Sequence, residues 1–164
     1  MKPRANAREH PRRDTPSKPA PAREAPATTI LIADDDDLFR RVLKEELLAR
    51  GYQVLEARDG AQTLEQLALA ADGGCASPDV VVLDVCMPGY SGLGVLSAMR
   101  RFAAPPPTLL VTGFRDPSVE LFARRMGAHR ILQKPIDLDE VLAAVLEAAR
   151  LGASRALGTS DDGF

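Results

Sequence analysis

Residues 78–92 read PDVVVLDVCMPGYSG, and this stretch decides the fold. Four consecutive apolar residues, Val80 to Leu83, stand between Asp79 and Asp84. A short, continuous, β-branched run of this kind is the strand type of a parallel sheet covered on both faces. Pro88 and Gly89 then turn the chain, and Ser91 is placed to cap the helix that follows. That helix is predicted over Leu93–Phe102, and Pro105, Pro106 and Pro107 prevent its continuation.

Outward from this segment the same unit recurs. Thr28–Ala33 (TTILIA) reads as a strand, and four aspartates, Asp34 to Asp37, follow it. A helix is predicted over Leu38–Arg50, with apolar residues at 38, 39, 42, 43, 47 and 48 and Gly51 just past its end. Tyr52–Ala57 reads as a strand. Ala61–Ala71 reads as a helix with Leu64, Leu67, Ala68 and Ala71 on one face. Ala57-Arg58-Asp59-Gly60, between the two, reads only as a turn. Downstream come a strand at Thr108–Thr112, a helix at Ser118–Met126, a strand at Arg130–Gln133 and an amphipathic helix at Leu138–Leu151. Strict alternation of five strands and five helices predicts an α/β domain with a parallel sheet between two helical layers.

The bulk numbers narrow the function. The 164 residues suffice for one domain over 28–151 with tails. Residues 1–27 are rich in Pro, Ala and Arg, hold no Val, Ile, Leu or Phe, and read as disordered. This tail is basic, with seven Lys/Arg against three Asp/Glu in residues 1–28, so a weak tether to an anionic partner stays open beside a plain solvated tail. Residues 152–164 read as a short flexible tail. The net charge of −2, the absence of Trp and the 4% aromatic content give no case for direct DNA binding. No apolar run is long enough to span a membrane, and residues 1–27 lack the apolar core of a secretory signal, so a cytoplasmic location is expected. Cys75 and Cys86 read as free thiols, and His10 and His129 as solvent-facing.

In an open parallel sheet, ligands sit beyond the carboxyl ends of the strands. The residues there are Asp34 to Asp37, Asp84, Thr112 and Lys134. Clustered carboxylates repel each other and invite a hard cation with oxygen ligands, most plausibly Mg²⁺. An ammonium and a hydroxyl nearby suit a negative group carried on the central carboxylate. This inventory fits a phosphoryl group held on an aspartate, with catalysis supplied by positioning and charge neutralisation.

The segments ILIADDDD, ARDGAQTL, PDVVVLDVCMPGYSG, LLVTG and GAHRILQKP, in this order, resemble a CheY-like receiver domain of two-component signalling. The resemblance runs from Thr28 to about Arg150. It implies a flavodoxin-like (βα)5 three-layer sandwich with a five-stranded sheet of order 2-1-3-4-5. Asp84 resembles the phosphoacceptor. Asp34 and Asp35 resemble the acidic pair that holds Mg²⁺, and Cys86 would add its backbone carbonyl. The register rests on Arg40-Arg41, five and six places after Asp35. Thr112 resembles the switch hydroxyl and Lys134 the phosphate-contacting ammonium, with a cis bond before Pro135. Asp36 and Asp37 are left to cap the first helix.

The resemblance further implies a sensor histidine kinase or phosphotransfer protein as donor, and an effector protein as receiver of the signal. A homodimer through the face of the fourth helix, fifth strand and fifth helix is a further implied partner. No enzyme activity is expected beyond Mg²⁺-dependent self-phosphorylation and dephosphorylation, and no output domain is expected in the chain. A binding module that ignores phosphate and a small phosphatase using Asp84 as nucleophile are the competing readings. Three positions depart from the family pattern. Ser91 stands where Asp is usual, and can still cap a helix. Ile131 stands where many members carry a Tyr or Phe that swings inward, so the readout is expected to be altered. Phe114, two after Thr112, is bulky and expected to restrict water at the acyl phosphate.

Overall fold

The computed structural model describes residues 28–74 and 76–157, residues 153–157 by backbone alone. The expected tail over residues 1–27, with His10, the thiol of Cys75 and residues 158–164 lie outside the described residues. Ten elements alternate without exception. They are β1 (Thr29–Ala33), α1 (Asp37–Ala49), β2 (Gln53–Ala57), α2 (Gly60–Ala71), β3 (Val80–Asp84), α3 (Gly92–Met99), β4 (Thr108–Thr112), α4 (Pro117–Arg125), β5 (Arg130–Gln133) and α5 (Leu138–Leu157). All strand pairs are parallel and the order is β2-β1-β3-β4-β5. The chain therefore has the flavodoxin-like order that its motifs implied.

Side-chain alternation along the strands feeds two cores. Ile30, Ile32, Val80, Val82, Leu109, Val111 and Leu132 face α1 and α5. Leu31, Leu83, Val81 and Leu110 face α2, α3 and α4. The strands β1, β3 and β4 are buried along their whole length, which is why their sequences are almost unbroken apolar runs. The register pairs Ala33 with Leu83 and Asp84 with Val111, so the ends of the three central strands finish level.

Four details differ from the sequence reading. The inward face of α1 carries Arg40, Leu43 and Leu47, while Leu38, Val42 and Leu48 are exposed. In α2 the buried positions are Gly60, Thr63 and Leu67, with Ala68 and Ala71 outside. Thr63 tolerates burial because its hydroxyl donates to the Asp59 carbonyl at 2.7 Å. Helix α3 stops at Met99 because the next bonds, Arg101 N–H to Ala98 O and Phe102 N–H to Met99 O, tighten to three-residue turns. Helix α5 runs past the expected end at Leu151 to Leu157, so residues 152–157 are helical and not part of a tail. Gly152 lies where α5 crosses the Asp79 carbonyl, which a Cβ would approach to 3.2 Å.

The segment Ala57-Arg58-Asp59-Gly60 does more than turn. Asp59 caps α2 by accepting the Gln62 N–H at 2.8 Å. Gly60 faces the loop after β3: a Cβ there would lie 2.1 Å from the Tyr90 carbonyl oxygen. The α2 N-terminus thus presses on the loop that leaves Asp84. Gly60→Ala is expected to destabilise the domain by about 1–3 kcal/mol, since backbone must shift to admit the methyl. Gly94→Ala is the control. Its Cβ would meet only Ser91 Oγ at 3.6 Å and Tyr90 Cδ1 at 4.0 Å. It should be neutral or stabilising by up to about 1 kcal/mol. Urea unfolding followed by circular dichroism separates the two, and equal behaviour contradicts the packing argument.

Candidate functional site

Two carboxylates are buried at the carboxyl edge of the sheet. Asp34 follows β1 and Asp84 ends β3, at 1% and 2% exposure. Asp35 stands beside them, exposed to solvent, and the three offer oxygens that all lie within 4.8 Å of one another. This is the group of His, Cys, Asp or Glu side chains with metal-binding spacing among the described residues.

Lys134, one residue beyond β5, reaches across to both buried carboxylates. Its Nζ lies 2.7 Å from Asp84 Oδ1 and 3.0 Å from Asp34 Oδ2. The remaining oxygens have backbone donors. Asp84 Oδ2 accepts the Cys86 N–H at 2.6 Å, and Asp34 Oδ1 accepts the Asp36 N–H at 2.9 Å. The ammonium also stands over the Phe39 ring, 5.5 Å from its centroid, where the ring face attracts a cation. The Lys134–Pro135 bond is cis.

The electrostatics follow from this geometry. Burial pushes the Asp34 carboxyl above its ordinary value, against the hydrogen bonds from Asp36 and Lys134. Burial alone would lower Lys134, but its hydrogen bonds to Asp84 and Asp34 and their charges hold it above the ordinary lysine value. The Cys86 thiol is pushed up by desolvation, and then by Asp84. Cys86 is free, as expected, and exposed, and its raised pKa leaves little thiolate at neutral pH.

Thr112 ends β4 one place beyond the residue that pairs with Asp84, and is buried. Its Oγ1 accepts the Phe114 N–H at 3.0 Å. The structure therefore brings Asp34, Asp35, Asp84 and Lys134 together, with Thr112 on the neighbouring strand end. Cys86 contributes its N–H to Asp84. Asp36 caps α1 through the N–H groups of Leu38 and Phe39, as the sequence suggested, and Ser91 caps α3 through the Gly94 N–H. His129 is exposed, as expected.

Sequence reasoning used Arg40 to set the register and gave it no task in the site. It is 3% exposed, and its Nη1 donates to the Asp34 carbonyl at 2.7 Å. Its other end engages Asp37, and Glu56 lies 3.7 Å from Nε. A guanidinium thus ties the backbone of the acidic loop to α1 and β2. The available signal was its spacing: positions 40, 43 and 47 form one helical face, with a charge at its head. Phe39, under the ammonium, gave no signal beyond being apolar.

A Mg²⁺ ion takes oxygen ligands at about 2.0–2.1 Å in an octahedron, so its ligands lie at most about 4.2 Å apart. Of three such ligands at least two pairs are neighbours at about 2.9 Å, and one oxygen each from Asp34, Asp35 and Asp84 lies within 4.8 Å of the others, a separation that rotation of these short side chains can reduce. The residues fit the ion.

The family model described as the response regulator receiver domain matches residues 30–146. Among curated relatives, the transcriptional regulatory protein KdpE of Mycobacterium tuberculosis is 34% identical over 129 residues, covering 79% of this chain and 54% of that protein. The response regulator MprA of Mycolicibacterium vanbaalenii is 37% identical over 134 residues, covering 82% of this chain and 53% of its own. The chain spans about half the length of these relatives. The receiver domain of a putative response regulator NarL from Mycobacterium tuberculosis superposes with a TM-score of 0.66 at 32% identity, covering 76% and 97% of the two chains. The receiver domain of a putative Luxo repressor protein from Vibrio parahaemolyticus shares the fold, with a TM-score of 0.73 at 18% identity, covering 82% and 99%.

Removing the ammonium should expose the repulsion it offsets. Lys134→Met is expected to lower stability at neutral pH by roughly 1–3 kcal/mol, less than a fully buried pair because the lysine side chain is 33% exposed. The deficit should shrink as pH falls, because protonating one carboxyl removes the repulsion. It should also shrink on adding millimolar Mg²⁺, because a cation held by the three carboxylates would replace the missing positive charge in the variant. In the unsubstituted protein the Lys134 contribution is present below the ordinary lysine pKa and lost as pH rises through the raised folded value. Thermal melts at two pH values with and without Mg²⁺ test this, and a deficit indifferent to both contradicts it.

Proposed function

The chain belongs to the response regulator receiver domain family, and on that premise we propose that it accepts a phosphoryl group on Asp84 from a phosphohistidine donor and thereby switches a protein-interaction face. The observation that carries the proposal is the single ammonium of Lys134 held between Asp84 and Asp34 at the end of the central strand.

The chemistry is an in-line displacement at phosphorus. An Asp84 carboxylate oxygen forms the new P–O bond while the P–N bond to the donor imidazole breaks, and the imidazole leaves with its electron pair and takes a proton. Lys134 Nζ gives up part of its contact with Asp84 to face the incoming phosphoryl oxygens. The Cys86 N–H stays in reach of the carboxylate oxygen it already holds. Asp34, Asp35, Asp84 and the Cys86 backbone carbonyl would hold Mg²⁺. Bound there, the ion supplies neutralisation of the charge that develops on the phosphoryl oxygens. The Thr112 hydroxyl donates to the phosphoryl group once it is in place.

Two surfaces suit the partners. Leu38 and Val42, one turn apart on α1, expose apolar area beside the acidic rim where a kinase or phosphotransfer protein must stand. On α4 and α5, Leu121, Phe122 and Leu146 are exposed, which suits an effector protein or a second copy of the domain. Direct DNA contact is not part of this reading, since charge and aromatic content give the domain no electrostatic or stacking case for it. No helix among the described residues is long and apolar enough to cross a membrane. A cytoplasmic location belongs with the proposal, because two-component donors present phosphohistidine there.

Incubation with acetyl phosphate and Mg²⁺ should add one phosphoryl mass to the intact protein, and none to Asp84→Asn. Asp34→Asn should remove most of the incorporation by weakening the cation site. Thr112→Ala should keep incorporation and lose the downstream change of surface. Equal incorporation by the wild type and Asp84→Asn contradicts the assignment. Light scattering of the phosphorylated and untreated protein reports whether a second copy binds.

A further inference from the structure

The backbone of Phe114 is fastened at both ends, to Thr112 and to the residue beside Lys134. Its N–H donates to Thr112 Oγ1 at 3.0 Å. Its carbonyl accepts Gln133 Nε2 at 2.8 Å, from the residue just before Lys134. The ring itself has no such hold and is 55% exposed. Large apolar side chains left at the surface beside a cavity are free to exchange one environment for the other.

Such a cavity lies beside it. A space of about 180 Å³, open to solvent, lies between α4 and the ends of β4 and β5, with Leu110, Ala123 and Ile131 on its apolar side and Arg115, Glu120 and Gln133 among its polar lining. Ile131 does not fill the space. It packs against the core beneath α2, α3 and α4, and its β-branched chain is stiff at χ1. The adjoining Gly113 has open room, since a Cβ there would meet nothing within 4 Å. Glycine at this point gives the loop the backbone freedom to re-aim residue 114.

We propose that Phe114 is the moving aromatic residue of this domain: when Thr112 turns to a phosphoryl group on Asp84, the Phe114 ring leaves the surface and fills the cavity beneath α4. The inference rests on the phosphorylation reading and deepens it. As the Thr112 hydroxyl swings toward the phosphoryl oxygen, its grip on the Phe114 N–H is lost. As Lys134 shifts, Gln133 carries the Phe114 carbonyl with it. Both tethers then favour a new setting of residue 114, and packing of the ring against Leu110, Ala123 and Ile131 on the apolar side of the space supplies the driving force. The outcome is a surface beside the start of α4 that loses an exposed ring and presents Arg115 and Asp116 differently. The phosphoryl state is thus readable by a partner without an aromatic residue at position 131.

The chain contains no Trp, so Phe114→Trp introduces a single indole, which is excited apart from Tyr52 and Tyr90 at wavelengths they do not absorb. With acetyl phosphate and Mg²⁺, and phosphorylation followed by intact mass, its emission should move to shorter wavelength and its quenching by acrylamide should fall severalfold. The same variant carrying Asp84→Asn should show neither change. Ile131→Phe added to Phe114→Trp places a ring in the cavity from β5, and should abolish the shift while phosphoryl incorporation continues. Because an indole is larger than a phenyl ring, the unsubstituted Phe114 is followed as well, by NMR of labelled phenylalanine with a soluble paramagnetic probe. Its resonances are assigned by their loss in Phe114→Leu. Protection of the native ring on phosphorylation supports the proposal. A protein that gains the phosphoryl mass while the native ring keeps its exposure overturns it. Failure to gain the mass overturns the Asp84 reading instead, and this inference with it.

Discussion

One ammonium between two buried carboxylates sets the terms for the rest of the structure. Asp34 and Asp84 come from neighbouring strands, and the sheet register brings their ends level. At about 4 Å, two like charges repel by about 4 kcal/mol at an effective dielectric constant of 20. Without a counter-charge, one of the two carboxyls would bind a proton and be neutral. Lys134 prevents this from a strand two places away in the sheet, through its contacts at 2.7 and 3.0 Å. The edge strand β5 is short and partly exposed, and one of its evident tasks is to deliver that lysine.

Holding carboxylates together also requires that their loops not relax apart. The loop after β1 is held from below by Arg40 on the Asp34 carbonyl and from ahead by Asp36 capping α1. The loop after β3 is held by two close backbone approaches. Gly60 lets α2 press on Tyr90, and Gly92 lets α3 approach the Asp84 carbonyl, which a Cβ would meet at 2.1 Å. Strain that would otherwise open the acidic cluster is opposed by buried contacts on both sides. The helices therefore do two jobs, covering the sheet and fixing the two loops that leave its centre.

Much of this was legible in the sequence, and the remainder has a physical reason for being hidden. The buried strands announce themselves because a strand covered on both faces must be apolar throughout, as Val80–Leu83 and Leu109–Val111 are. Asp84, Lys134 and the run Asp34 to Asp37 were legible because the topology gathers strand ends, so position along the chain translates into position in space, while the choice of Asp34 and Asp35 within that run came from the resemblance. Arg40 was misjudged because an arginine counts as polar in any pattern, although a backbone carbonyl and carboxylates around it make its burial tolerable. Gly60 looked like punctuation because its close partner, Tyr90, is thirty residues away in sequence. The length of α5 was underestimated because Gly152 reads as a stop, when here it is the point where a helix passes a strand-end carbonyl.

Charge arithmetic links the cation to the switch. Three carboxylates against one ammonium leave the cluster with two negative charges, the balance that one divalent cation neutralises. A phosphoryl group brings up to about two more negative charges. Lys134 is shared between two carboxylates and can turn only in part to the phosphoryl oxygens, so the proposed phosphorylation calls for a further donor, and Thr112 is the buried hydroxyl on the adjoining strand end. That hydroxyl is engaged with the Phe114 N–H. Recruiting it therefore disturbs the backbone that leads into α4. The hydrogen bonds of Phe114 to Thr112 and to Gln133 thus lead from the carboxylate cluster to the surface beside α4, and a phosphoryl group that drew on Thr112 would act on that surface through them.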